Sequence, residues 1–583
     1  MLKSNPITRS LAVLGAFVFA MFMAINVFAQ AGSTSINGTI TDQNGAVVPG
    51  ATVKVTNPAT GFSRTVTTNA DGAYVFASIL PGSYNIEVEA AKFKKAVKRD
   101  VKASVDSTLA VNISLEPGEV SAVIDVTGGD IESVINTQDA TVGNNFVAQQ
   151  IQQLPTDSRN IPDLLSLQPG VTPQGYVAGG RSDQANITLD GIDVNDQQTG
   201  AAFSSILRIT AESIEEFRIT TTNANANQGR SSGAQISLIT RGGTNKWRGV
   251  LFEFHRPDKF SANNFFNNAD GVPRPNIKRN IFGGAVGGPI VKDKFFFFYS
   301  YEGYRERKSE SVIRTVPLAS LGRGELRFVG SPIGGSGGSG LITLNTAQLN
   351  AIFPLAQMNQ AAIDVFAAAA ARYPSNSDAL GDGLNTGGFR FNAPTPVDQN
   401  THIVRFDWNM SAKHQLSFRG NYQQDSALVA PYFPDTISPE FWSHPSGFGI
   451  SHTWTISNNK VNNFRYGLTR QAFTSGGDSS ENGITFRFVF QPKAFSNSLS
   501  RVTELQNFTD DFTWIKGSHT FQFGGNVRLI NNKRESYASS YDFATANPSF
   551  YSSSGRVLSN PILALYNVDS GTTGIQNAMS ALI

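Results

Sequence analysis

The sequence predicts a mainly β protein in three folded parts: an N-terminal β-sandwich, a mixed α+β unit, and an antiparallel sheet patterned like the wall of a transmembrane β-barrel. Three observations lead there. Short alternating strands punctuated by turn dipeptides follow an apolar leader. Helical and strand-like stretches then mix. From Trp247 onward, aromatic residues alternate with polar ones in run after run.

The N-terminus carries a targeting signal. Lys3 and Arg9 give a positive start, Leu11 to Phe28 is almost uninterruptedly apolar, and the small residues Ala29 and Ala31 follow. Residues 1–31 therefore read as a secretory signal peptide. A membrane anchor is the competing reading, because the run approaches spanning length; the small-residue cleavage pattern favours removal. Past residue 31 no comparable apolar run occurs, so any later span must be built from strands.

Composition narrows the function. The chain has 47 basic and 45 acidic residues, without the basic excess of a nucleic-acid binder, so no such partner is expected. It has no cysteine, which removes disulfides, zinc ribbons and thiol nucleophiles. Its six histidines are scattered without metal-ligand spacing. No catalytic set stands out, so neither an enzyme nor a cofactor is expected. The 54 glycines and 42 phenylalanines suit β-structure with many turns.

Residues 32–117 form the first unit. Strands are expected at Ser35–Thr41, Ala51–Thr56, Ser63–Thr67, Tyr74–Ala77, Ser83–Ala90 and Leu109–Leu115. Asn44-Gly45, Pro49-Gly50, Asp71-Gly72 and Pro81-Gly82 turn between them. Short, regularly spaced strands of this kind pack as a small sandwich.

Residues 118–245 form the second unit. Strand-like Ala122–Thr127 precedes two helical stretches, Asn145–Leu154 and Ile161–Leu167, the latter stopped by Pro169-Gly170. Strands follow at Asn186–Leu189, which runs into the turn Asp190-Gly191, and at Phe217–Thr222 and Ala234–Thr240.

Residues 246–583 carry the inverted pattern. Val250, Phe252 and Phe254 alternate with Leu251, Glu253 and His255. Val404, Phe406 and Trp408 alternate with Arg405 and Asp407. Leu416, Phe418 and Tyr422 alternate with Ser417, Arg419 and Asn421, and Phe464, Tyr466 and Leu468 with Arg465 and Thr469. A half-buried soluble strand gives the same alternation. A barrel gives it with the apolar face toward lipid and the polar face toward the lumen. The signal peptide, the aromatic weight and the long polar connections favour the barrel. An insertion over 307–400 holds the flexible Gly334–Gly340 run and a helix expected at Ala356–Arg372. It reads as an extracellular loop, since barrels keep their periplasmic turns short.

Three blocks carry resemblances. Gly38-Thr39-Ile40-Thr41-Asp42, Val48-Pro49-Gly50-Ala51, Asp71-Gly72-Ala73-Tyr74-Val75-Phe76 and Leu80-Pro81-Gly82-Ser83-Tyr84 resemble the carboxypeptidase regulatory-like domain, a transthyretin-like sandwich also described as a carbohydrate-binding-like fold. No peptidase residues accompany it. Leu154–Asn160, Asp163–Val171, Asn186–Asp193, Ile214–Arg218, Gly229–Ala234 and Thr240–Asn245 resemble the plug of TonB-dependent receptors of the Oar-like type. Phe252–Arg256, Asn263–Phe266, Phe282–Gly284, Gly287–Ile290, Lys292–Phe297 and Tyr301–Gly303 resemble the first barrel strands of the same receptors.

The resemblance implies an outer-membrane receptor with its sandwich in the periplasm. Its barrel face would meet membrane lipid. A TonB-type coupling protein would supply energy, and an extracellular ligand (siderophore, oligosaccharide or peptide) would be bound and taken into the periplasm. The family's barrel has about 22 strands, whereas residues 246–583 hold only about a dozen at roughly 20–30 residues per strand and turn. The chain is therefore expected to be a fragment. A secreted or surface-exposed adhesin, or carbohydrate-binding β-protein, is the rival reading; it leaves the plug-like blocks unexplained.

Candidate site residues follow from the same comparison. Ala122, Val123, Ile124, Asp125, Val126 and Thr127 occupy the place of the TonB box, an extended segment that pairs with a partner strand; an ordinary first plug strand would look alike. Arg159, Arg181, Arg230, Arg241, Glu215 and Glu216 are candidates for contacts between plug and barrel, with Glu253 as a wall partner, although solvated surface charge is the commoner fate of any one. Asp190, Asp193 and Asp196 have calcium-loop spacing but lack the glycine and distal glutamate of an EF-hand, and read as turn formers. Gly283-Gly284 and Gly287-Gly288 lack a phosphate loop's lysine and read as bends or plug–wall contacts.

Overall fold

The computed structural model describes residues 32–118, 123–125, 140–153, 164, 168–172, 174–198, 205–226, 228, 233–476, 483–491, 499–517, 519–536 and 543–583. The expected signal peptide and most of Ile161–Leu167 lie outside the described residues.

Nine strands make the sandwich: β1 (Thr34–Asp42), β2 (Thr52–Thr56), β3 (Ser63–Thr67), β4 (Ala73–Ile79), β5 (Gly82–Glu89), β6 (Lys95–Ala103), β7 (Thr108–Ala110), β8 (Ile113–Leu115) and β9 (Val123–Asp125). One sheet has β1 between β4 and β7, with β8 also on β1; the other runs β3-β2-β5-β6-β9. Alternate residues point inward, so Ile36, Ile40, Val53, Val55, Phe76, Ile86 and Val88 form one apolar core. Tyr74 and Tyr84 join it because their hydroxyls find acceptors, donating to Val111 O (2.7 Å) and Leu80 O (2.6 Å). Burial pushes both phenols up. Strand β6 escapes the sequence pattern. Lys98, Arg99, Asp100 and Lys102 interrupt its alternation and no strand is expected there, yet Ala96, Val97, Val101 and Ala103 are buried.

A five-stranded mixed sheet forms the second unit: β10 (Val142–Val147), β11 (Asn186–Leu189), β12 (Ile192–Asp193), β13 (Ile214–Thr222) and β14 (Gln235–Thr240), in the order β10-β13-β14-β11-β12. The helical expectation at Asn145–Leu154 is half corrected. Asn145–Val147 pairs as strand with Glu216–Arg218, and the helix is Ala148–Gln153. Pairing with β13, and Phe146 stacked on Phe217 at 4.5 Å, outweigh local propensity there.

The wall begins with β15 (Arg248–Pro257), β16 (Ile277–Val291) and β17 (Phe295–Pro317). The insertion after β17 carries β18 (Leu326–Pro332), β19 (Gly340–Leu344) and β20 (Thr386–Pro394). The wall resumes with β21 (Val397–Asn409), β22 (His414–Leu428), β23 (Glu440–Ser443), β24 (Ser446–Ser457) and β25 (Lys460–Ser475). After β26 (Gly483–Phe486) come β27 (Leu499–Lys516) and β28 (His519–Ser536), then β29 (Phe543–Ala546) and β30 (Tyr566–Ser570). Eleven of these strands form one antiparallel sheet with β15 and β28 at its ends. Its long strands exceed the roughly 9–11 residues needed to cross a bilayer.

Register sorts the two faces. Arg405 lies opposite Arg419, Gly449 opposite Gly467, Asn507 opposite Arg528, and Glu302 opposite Thr401, all on the inner face. Phe406, Phe418, Ile450, Tyr466, Phe508 and Phe523 line the outer face. Strand β15 departs from this. Phe252 opposes Gly283 and Phe254 opposes Ile281, which places them on the inner side, while Glu253 opposes Phe282 on the outer side. The expected inward role of Glu253 is thereby corrected.

Short turns mark one end of the wall, at residues 292–294, 410–413 and 458–459. Trp514 sits beside Phe521 (5.7 Å) at that end, with Lys460 and Lys516 over its ring, as in an interfacial aromatic girdle. The sandwich lies there too: Asn69 Nδ2 donates to Gly517 O (3.0 Å), and Asn245 joins Ala59 O to Asp293.

Long connections mark the other end, and they fold together. The insertion starts later than expected, since β17 continues through 307–317. The helix Gln360–Arg372 is shorter than expected and begins at the Asn359 cap. Val316, Leu321, Phe328, Leu349, Ile363, Phe366, Phe433, Phe490, Ile562, Met579 and Leu582 share one buried core. This cap draws on four separate stretches of the chain. Its three-stranded sheet, β19-β18-β30, joins the insertion to the last strand.

Candidate functional site

The seam between the inner face of the wall and the five-stranded unit concentrates the buried charge. It starts from a tight hairpin. Strands β11 and β12 are joined by Asp190-Gly191, both at positive φ (51° and 76°). A two-residue turn with both centres left-handed matches strand twist, and Asp-Gly tolerates it. The turn drives Asp190 and Asp193 against the wall.

Asp190 is held from both sides. Its Oδ1 accepts from Thr240 N (3.0 Å) and its Oδ2 from Thr240 Oγ1 (2.8 Å) within its own unit. From the wall, Arg405 Nη1 reaches Oδ1 at 3.2 Å and Arg419 Nε reaches Oδ2 at 2.9 Å. Arg405 also donates to Thr240 O (2.8 Å) and is braced by Asp407. Both guanidiniums are buried. A small cavity beside them is lined by Ser417, Gly449 and Ser451.

Asp193 is fully buried. Arg528 Nη1 donates to its Oδ2 (2.8 Å), Asn195 occupies its Oδ1, and its N–H donates to Asn507 Oδ1 (3.0 Å). Thr469 donates to its carbonyl (3.3 Å). Farther along, Gln198 Nε2 donates to Thr503 Oγ1 (2.9 Å). Arg208 grips Asp425 with two bonds, at 3.0 and 2.7 Å, and touches Thr401. Such forked pairs fix orientation as well as charge.

Glycines on the wall make room for this approach. A Cβ at Gly467 would collide with Ile192 Cγ2, and one at Gly447 would crowd Leu207. Gly287 and Gly288 both lie against Gly243, so two of the expected glycine contacts do meet the inner unit.

The sequence-chosen charges fall elsewhere. Arg241 pairs with Glu215 (3.2 Å) inside its own unit. Arg181 pairs with neighbouring Asp183 at an exposed site. Glu216 faces the sandwich: its Oε2 accepts from Val105 N (3.2 Å) and its Oε1 from Asn145 (3.1 Å). Beside it, Asp106 accepts from Gln228 (3.3 Å) and Ser237. Burial pushes Glu216 up to about 7 and Asp106 up to about 6. Arg159 and Arg230 lie outside the described residues, as do Ala122, Val126 and Thr127. Val123, Ile124 and Asp125 are the strand β9, paired in parallel with β6.

Reasoning from sequence thus missed Asp190, Asp193 and Arg208, and their wall partners. The signal was present in two halves. Arg405, Arg419 and Arg465 sit at the polar positions of alternating strands, and Asp190-Gly191 announces a hairpin tip. Only the register brings the halves together. The scattered histidines also converge once: His414 Nδ1 lies 3.1 Å from His452 Nε2 on the outer face. Among the described residues no group of three metal-ligating side chains forms.

Comparison with known proteins identifies two parts of the chain. Residues 239–579 match the family model for an outer membrane beta barrel domain, and residues 35–116 the carboxypeptidase regulatory-like domain. The TonB-dependent transporter Oar of Myxococcus xanthus is 27% identical over 307 residues, an alignment that takes in 49% of this chain and 28% of that protein. Among solved structures, the outer membrane transporter YddB of Escherichia coli superposes with a TM-score of 0.45 at 12% identity, over 67% of this chain and 48% of that one. The siderophore receptor PirA of Acinetobacter baumannii gives 0.40 at 13%, over the same shares.

Proposed function

Because this chain belongs to the outer-membrane β-barrel family and is homologous to a TonB-dependent transporter, we propose that it works as a receptor that binds an extracellular ligand and takes it into the periplasm. The five-stranded unit is the plug. A coupling protein in the inner membrane moves it, since the outer membrane has no nucleotide supply of its own. The periplasmic sandwich precedes the plug, and the chain performs no catalysis.

The ion-paired seam carries this reading. A unit seated permanently would be expected to bury apolar surface. This one is seated through Asp190, Asp193 and Arg208 on Arg405, Arg419, Arg528 and Asp425. Polar seams of this kind exchange their partners for water when pulled apart. The adhesin alternative gives the seam no task. The eleven-stranded sheet does not pair β15 with β28, and a spanning sheet has to close. Further strands are therefore proposed to complete the wall.

The test tethers plug to wall. The chain has no cysteine, so Gln198→Cys with Thr503→Cys introduces one defined bond. Cells relying on this protein are grown on a ferric siderophore, an oligosaccharide or a peptide as the limiting nutrient. The nutrient that the gene deletion loses identifies the ligand class, and the tether should block its use until reductant is added. Uptake that continues through an oxidised tether would overturn plug movement; a deletion that loses none of the three would overturn the transport reading.

A further inference from the structure

The sandwich presents its own contribution to coupling. We propose that the larger sandwich sheet is a platform on which the coupling segment is held as an extended edge strand, ready for a strand of the coupling protein to add beside it. This rests on the reading of residues 122–127 as that segment.

The observation is the parallel pairing of β9 with β6, in the register Lys95 with Val123, Ala96 with Ile124 and Val97 with Asp125. The sheet order β3-β2-β5-β6-β9 puts β9 outermost, and among the described residues no further strand pairs with it. Strand β6 is itself fixed by β5 over most of its length. A strand has two hydrogen-bonding edges, and pairing with β6 occupies one. Among the described residues no strand occupies the outer edge, whose N–H and C=O groups are the template that strand addition uses.

Preorganisation follows. A loose segment must be ordered when a partner binds, and that ordering opposes affinity. Docking on β6 orders it in advance. Position adds a mechanical consequence: β9 lies between the sandwich and β10, so a strand pulling on β9 draws on the chain that leads into the plug.

The experiment locks β9 in place in the full-length protein in detergent. Lys95→Cys with Val123→Cys joins directly registered neighbours, within the span a disulfide bridges. Lys54→Cys with Val123→Cys is the mismatched control, because β5 and β6 separate β2 from β9. The probe is the purified periplasmic domain of the host's TonB-type protein. The matched pair should oxidise readily and the control should not. The oxidised protein should bind the probe as tightly as the reduced form or up to about tenfold more tightly, the gain expected when the competent conformation is fully populated. Loss of binding on oxidation, recovered by reductant, would show that β9 must leave β6 and would overturn the platform. Failure of the matched pair to oxidise above the control would overturn the docking itself. If the docked pair forms but neither redox state binds, the coupling-segment reading fails and the platform with it.

Discussion

Two interiors of this molecule are built on opposite principles. The cap beyond the long loops closes around Phe328, Phe366, Phe433, Leu349 and Met579, all apolar and buried. The seam between the five-stranded unit and the wall closes around Asp190, Asp193, Arg405, Arg419 and Arg528. An apolar core gains from burial alone, at roughly 25 cal/mol per Å². An ion-paired seam recovers little beyond the desolvation it costs, but each half is intolerant of losing the other. The contrast separates a part that stays folded from a part that stays seated only while its pairs are matched.

The sharpest way to break the seam is steric. Gly467→Val places side-chain atoms where Ile192 sits. The five-stranded unit should lose its seat altogether, read as rapid proteolysis within residues 140–245 while the wall stays protected. Normal protection of that unit would mean that the seam yields far more easily than its packing implies.

Next comes charge. Asp190→Ala leaves Arg405 and Arg419 buried without their shared partner, at about 3–5 kcal/mol, read as a lower urea midpoint for exposure of the five-stranded unit. Asp190→Ala combined with Arg419→Met should recover part of that loss, because the stranded charge goes with it.

The cap gives the counterpart. Phe366→Ala should cost the cap about 3–5 kcal/mol through the cavity left behind. Its helices should become protease-sensitive with the five-stranded unit still seated. Loss of both together would show that the two interiors are coupled.

Acidity sharpens a third contact, that of the sandwich with the five-stranded unit. Glu216 and Asp106 have carboxyls raised above their ordinary values, to about 7 and about 6. The folded state therefore holds protons that the unfolded state gives up between about pH 4 and 7. Stability from this contact is present in full below the ordinary carboxyl range and is lost as pH rises through 6 and 7. Each carboxyl contributes a slope of at most about 1.4 kcal/mol for every pH unit crossed. Glu216→Gln should flatten that slope in a pH series of thermal melts; an unchanged slope would remove Glu216 from the contact. Smallest of all, Arg181→Ala should change stability by about 0.5 kcal/mol or less, since its pair with Asp183 is exposed.

Much of the architecture was legible in the sequence, and the reasons are local. Turn dipeptides and alternation located most sandwich strands, and the outer face of β21, β22 and β25 followed from Phe406, Phe418 and Tyr466. What escaped depends on distant partners. Strand β6 was not among the expected strands because only its neighbours show that Val101 is buried. Phe252 and Glu253 were assigned to the wrong faces because β15 takes its facing from β16, not from its own pattern. Asp190 and Asp193 read as turn formers, which Asp190 also is; that they meet arginines more than 200 residues away is a property of register. The cap was invisible for the same reason, since no single loop contains its core.

That cap carries a consequence for biogenesis. Ser339 and Asp569 meet although 230 residues separate them, and β18 pairs with β30 across the same span. Contacts of such long range form late. The stretches that build the cap leave the wall at different strands, so its core can consolidate only after those strands have been brought together. Completion of the cap is thus a timestamp of wall assembly, and a chain stalled partway would leave its apolar loop surfaces uncovered.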